Sequence, residues 1–127
     1  MTSARKSRYV KQVLIIAGGW QTRALIGAQL KEEGFEVTGS DTFESAISQL
    51  EQSRIRPRLL IVESTEIAID HKAIARLDEM CHGAPLILIC GAWDCPSQLE
   101  WTGVIHQLTK PTTIGQIVEK AKELFPI

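Results

Sequence analysis

Short, wholly apolar runs alternate along the chain with segments whose apolar residues recur at helical spacing. Val13-Leu14-Ile15-Ile16 has no polar interruption and ends at Gly18-Gly19, the pattern of a strand buried on both faces. Thr22 to Glu33 follows as a helix carrying Leu25, Ala28 and Leu30, with Gly34 as its stop. Phe35-Glu36-Val37-Thr38 alternates and reads as a strand nearer an edge. Asp41-Thr42-Phe43-Glu44 has the spacing of a capping box, and Phe43, Ala46, Ile47 and Leu50 then share one helical face. Pro57 closes that connection before a third strand, Leu59-Leu60-Ile61-Val62, which ends on Glu63. Asp70 is placed to cap a helix bearing Ile74, Leu77, Met80 and Cys81, and Pro85 opens a fourth strand, Leu86 to Cys90. Ser97 to Trp101 predicts a helix of little more than one turn before Gly103. Val104 to Leu108 is a fifth strand. Thr113-Ile114-Gly115-Gln116 repeats the capping-box spacing ahead of a stripe of Ile114, Ile117, Val118, Ala121 and Leu124.

The order is (βα)₅, an α/β domain with a five-stranded parallel sheet between two layers of helices. In such sheets the working crevice lies at the carboxyl ends of the strands. The residues to question are therefore Ala17 to Trp20, Glu63 to Thr65, Cys90 to Trp93 and Gln107 to Pro111.

Composition narrows the classes. The chain has 127 residues, 15 acidic and 14 basic, for a formal net charge of -1. That balance argues against direct nucleic-acid binding and against attachment to an anionic membrane. Residues 1–10 read as a disordered basic lead-in and 11–127 as one domain. No apolar run approaches the twenty or so residues that cross a membrane, and no apolar core of a signal peptide follows the basic start, so the cytoplasm is the expected location. Cys81, Cys90 and Cys95 form no CxxC pair and read as three reduced thiols. Cys90 reads as a small buried apolar residue rather than a redox group. His71, His82 and His106 have no ligand spacing, so no metal site is expected. Gly18-Gly19 lacks the rest of any phosphate-loop motif and reads as a tight turn.

The five units and the dipeptide Lys110-Pro111 after the fifth strand resemble the receiver domain of two-component response regulators, a flavodoxin-like three-layer sandwich, over roughly residues 11 to 125. In that family an acidic pair follows strand one, a phosphoacceptor Asp ends strand three and a Thr or Ser ends strand four. An aromatic precedes the strand-five lysine by three residues. The resemblance places the acidic pair at Ala17 and Gly18, the acceptor at Glu63, the hydroxyl at Cys90, the aromatic at Gln107 and the lysine and proline at Lys110 and Pro111. Only Lys110-Pro111 matches unchanged. It also implies a cis Lys110-Pro111 peptide bond.

The departures imply an atypical, pseudo-receiver member of a phosphorelay-type pathway that acts by protein contact and not as an enzyme. Mg²⁺ wants carboxylate oxygens in near-octahedral array, and Ala17 and Gly18 supply none, so weak or absent Mg²⁺ binding and no other cofactor are expected. The partner is expected to be a signalling protein or a fused output domain, with a homodimer also open. The family's partner surface, helix four to helix five, is shortened at helix four. Two readings of Glu63 and Lys110 stay open: a stand-in for a phosphorylated Asp holding the lysine, or an ion pair of a packing scaffold. Trp20, Trp93 and Trp101 are candidates for an apolar partner surface or for three separate loop anchors. The alternatives are a receiver phosphorylated by an altered route and a flavodoxin-like binder of a small ligand.

Overall fold

A strand with no polar side chain needs cover on both faces, and Val13 to Ile16 has it. The computed structural model describes residues 11–53, 55–91 and 99–125. The expected lead-in at residues 1–10 lies outside them. β1 (Lys11–Ala17) runs into α1 (Trp20–Glu32), β2 (Phe35–Ser40), α2 (Phe43–Ser53) and β3 (Leu59–Glu63). A single 3₁₀ turn at 64–66 leads to α3 (His71–Cys81), β4 (Leu86–Cys90), β5 (Ile105–Thr109) and α4 (Ile114–Glu123). The strands form one parallel sheet in the order β2-β1-β3-β4-β5.

The strand period of two divides the core. Leu14, Ile16, Leu60, Val62, Leu86 and Leu88 turn to the face covered by α2 and α3, where they meet Phe43, Ala46, Leu50, Ile74 and Leu77. Val13, Ile15, Leu59, Ile61, Ile87 and Ile89 turn to the other face, where Ile26 and Leu30 of α1 and Ile117, Val118 and Ala121 of α4 cover them. The expected α/β sandwich is thus present, with both layers contributing to the core.

The helix starts follow local chemistry. Asp70 accepts hydrogen bonds from the Lys72 and Ala73 amides, and Thr113 with Gln116 forms a complete capping box at α4. At α2 the capping side chain is Thr42, whose hydroxyl accepts from the Ser45 amide at 3.0 Å, and not Asp41 of the expected box. Gly34, with φ +94°, makes the left-handed turn between α1 and β2.

The connection from β4 to β5 differs from the expectation. Residues 99–101 of the expected short helix are not helical, while 92–98, including Trp93 and Cys95, lie outside the described residues. Three contacts hold the described part down. The Trp101 indole donates to the Ala84 carbonyl at 2.7 Å. The Thr102 amide and hydroxyl donate to Asp78 at 3.0 and 2.9 Å. Gly103 passes so close to the chain that a Cβ there would lie 2.3 Å from the Gly83 carbonyl oxygen. Leu99 and Trp101 pack on the α2–α3 side of the core. A helical turn would lift the Thr102 amide from Asp78 and Gly103 from this crossing.

Candidate functional site

Parallel register brings the ends of β1, β3, β4 and β5 to one edge. Ala17 lies opposite Glu63, and Cys90 lies opposite Thr109, one residue before Lys110. The Lys110 amide donates to the Cys90 carbonyl at 2.8 Å, which sets the lysine beside the end of β4. The Lys110-Pro111 peptide bond is cis.

At the centre is Glu63, a carboxylate that is 4% exposed at the end of an otherwise apolar strand. A buried carboxylate needs partners, and Glu63 has two residues that provide them. The Lys110 ammonium donates to Oε2 and forms an ion pair with it. The Thr65 amide donates to Oε1 at 2.8 Å, and the Thr65 hydroxyl lies 2.7 Å from each carboxylate oxygen. Lys110 Nζ is also 3.2 Å from Thr65 Oγ1, closing a three-residue network. Burial pushes the Glu63 carboxyl up. The hydrogen bonds from Lys110 and Thr65, with the Lys110 charge, more than offset that and hold it below its ordinary 4.5. Glu63 is therefore ionised at neutral pH.

Thr65 enters this network through its hydroxyl and amide, and sequence reasoning did not assign it that part. The signal was available: in Glu63-Ser64-Thr65 the third residue can fold its amide and hydroxyl back onto the first carboxylate. Ser64 faces the other way and donates to the Ile89 carbonyl at 3.1 Å, fastening the turn to β4. Arg23 was also not singled out. From the first turns of α1 its guanidinium donates to the Ala17 carbonyl at 2.6 Å, satisfying the end of β1.

The other candidates divide. Ala17 is buried and Gly18 half-buried, and neither brings a side-chain oxygen to the edge. Cys90 is fully buried and is disulfide-bonded, which corrects the reading of three reduced thiols; Cys81 alone is a free thiol among the described cysteines. Gln107 is exposed on β5, one strand over from Leu88, and does not reach Glu63's network. The two described tryptophans do not share a surface. Trp20 starts α1 at the carboxyl edge and is 68% exposed. Trp101 is partly buried at the amino edge, bonded to Ala84 ahead of β4, on the opposite face of the sheet. Trp93 lies outside the described residues. The separation follows from the topology: α1 covers one face, and the segment before β5 packs on the other.

No family model matches the chain, and no curated protein sequence does. Solved structures do. The receiver domain of the hybrid histidine kinase CckA shares 21% identity with a TM-score of 0.72, covering 91% of this chain and 99% of that one. A CheY-like response regulator receiver domain protein from Methanospirillum hungatei shares 19% at TM-score 0.72, covering 91% and 94%. One from Clostridium thermocellum shares 13% at TM-score 0.74, again covering 91% and 94%.

Proposed function

On a chain with the response-regulator receiver fold, we propose a signalling module of two-component type that works through protein contacts, without Mg²⁺-dependent aspartyl phosphorylation. The observation that carries this reading is the saturated, buried carboxylate of Glu63. It stands at the acceptor position with Lys110 already drawn onto it, and Thr65 bonded to both its oxygens. A glutamate reaches one methylene further than an aspartate. Its negative charge therefore meets the lysine with no phosphoryl group between them, and Glu63 stands in for a phosphorylated aspartate.

The donor set does not fit Mg²⁺. A hard, octahedral ion needs several free oxygens. Ala17 and Gly18 offer none from their side chains, and Glu63's oxygens accept from Lys110 and Thr65. No catalytic role is proposed. The CckA domain is the receiver of a hybrid kinase. By analogy the partner here is a signalling protein or an output domain in the same pathway.

Incubation with acetyl phosphate and Mg²⁺, followed by intact mass, tests the reading. The expected spectrum shows no phosphoryl adduct. An adduct that disappears in Glu63→Gln would establish phosphorylation by an altered route and overturn it.

A further inference from the structure

The amino edge of the sheet, opposite the Glu63 network, carries a groove that the Glu63–Lys110 pair does not use. It lies between the C-terminal halves of α2 and α3 and the connection into β3, with a volume of about 600 Å³. Leu50, Ile55 and Met80 supply its apolar lining. Arg56, Arg76, Glu79 and His82 line it too, and all four are exposed.

Its basic groups are not alike. Arg76 bridges two carboxylates, Glu51 at 3.3 Å and Glu79 at 3.5 Å. The Arg56 guanidinium instead lies 2.9 Å from His82 Nε2. A guanidinium only donates, so the imidazole nitrogen accepts. Among the described residues no carboxylate pairs with either side chain. Both residues are fixed through their main chain. The Arg56 amide donates to Gln12 Oε1 of β1 at 3.0 Å. His82 ends α3 in the left-handed conformation, φ +54°, with its amide bonded to the Asp78 carbonyl. A cation held in place with an imidazole as its side-chain partner is a seat for a carboxylate, which can accept two parallel bonds from the arginine fork. The attraction is local, because the whole chain has a formal net charge of -1.

Resting on the reading of this chain as a protein-contact module, we propose that the groove docks an extended acidic segment of a partner protein, in which an aspartate or glutamate precedes aliphatic residues. The carboxylate takes the place of His82 on Arg56, and the aliphatic side chains cover Leu50, Ile55 and Met80. Arg76 does not compete for the carboxylate, since Glu51 and Glu79 already neutralise it. The exposed rim leaves room for the main chain of such a segment to enter and leave.

An amide NMR titration of the full chain with acetyl-aspartyl-leucyl-leucinamide tests this. The Ile55, Arg56, Met80 and His82 signals should move, while those of Glu63 and Lys110 stay still. Arg56→Gln should weaken binding about tenfold or more. His82→Asn, which keeps a residue tolerant of left-handed backbone, should weaken it less. Arg58→Gln removes the same charge from an exposed residue outside the groove lining and should change affinity by no more than about twofold. The asparaginyl analogue of the peptide, and the analogue with both leucines replaced by serine, should each bind more weakly. Still groove signals, equal losses in Arg56→Gln and Arg58→Gln, or equal binding of the asparaginyl analogue would each overturn the proposal. So would equally tight binding of free 4-methylpentanoate, which would assign the groove to a small organic acid. A phosphoryl adduct from acetyl phosphate would instead remove the phosphorylation-independent reading and leave this titration unchanged, so the two failures are distinguishable.

Discussion

Glu63 is ionised and 4% exposed, whereas the Lys110 side chain is 42% exposed. The asymmetry sets the cost of separating them. Removing Lys110 leaves a buried charge held by Thr65 alone, which costs about 2 kcal/mol; water at the lysine's open side keeps it below the range for fully buried pairs. Chemical denaturation of Glu63→Gln, Lys110→Met and the double variant should give a coupling energy of about 1 kcal/mol or more. Additive effects would mean that the two side chains do not act as a pair. The pH dependence has a definite sign. Glu63's folded pKa lies below its unfolded one, so its contribution is complete above the ordinary 4.5 and is lost as pH falls through the folded value. The stability gap between the parent chain and Lys110→Met should therefore narrow as the denaturation is repeated from about pH 6 down to about pH 3.

At the scale of elements, the segment before β5 stands out because contacts and not helical propensity shape it. Asp78 accepts two hydrogen bonds from Thr102. Asp78→Ala should cost about 1–2 kcal/mol in thermal or chemical unfolding, with amide exchange accelerating first at Thr102 and Gly103. Gly103 sits where a Cβ would meet three main-chain atoms of Gly83 and Ala84 within 2.8 Å. Main chain cannot rotate away as a side-chain end can, so Gly103→Ala should destabilise by about 3 kcal/mol; a loss under about 1 kcal/mol would show that the crossing opens freely. The capping boxes show how far local patterns reach. Thr113 and Gln116 form the box their spacing predicts, because nothing else competes for that turn. Asp41 and Glu44 have the same spacing, yet α2 starts one residue later and Thr42 provides the cap. The buried Phe43 and Ala46 fix where that helix meets the sheet, and the cap follows the packing.

For the whole molecule, two apolar sheet faces hold the core and one carboxyl edge holds the buried ion pair. The faces are aliphatic and closed by α1 with α4 and by α2 with α3. The edge gathers Ala17, Glu63, Cys90 and Lys110 from four strands. If that edge holds a permanent Glu63–Lys110 pair in place of a metal site, millimolar Mg²⁺ should leave the melting temperature unchanged relative to the same ionic strength of NaCl. A Mg²⁺-specific rise, scaling with concentration, would reveal a divalent site. Trp20, far from Trp101 and 68% exposed, should have a solvent-like fluorescence maximum, and collisional quencher should reach it and not Trp101. Equal protection of both would contradict their placement on opposite faces.

The alternation of apolar runs with 3.6-period stripes by itself determined the five strands, four of the helices and the parallel sheet. Those features are set by local periodicity and by the need to cover both faces of Val13 to Ile16 and Leu86 to Cys90. The lone Lys110-Pro111 match and the apolar run ending on Glu63 also pointed to the carboxyl edge, where Glu63 and Lys110 meet. Tertiary structure decided what the sequence left open. Whether Glu63 meets Lys110 depends on β3, β4 and β5 lying in register, which couples residues 47 positions apart. Long-range packing also held residues 99–103 out of a helix and set Trp20 and Trp101 on opposite faces. Periodicity reports which side of an element is apolar; only the assembled sheet decides which charged and sulfur-bearing side chains meet at its edge.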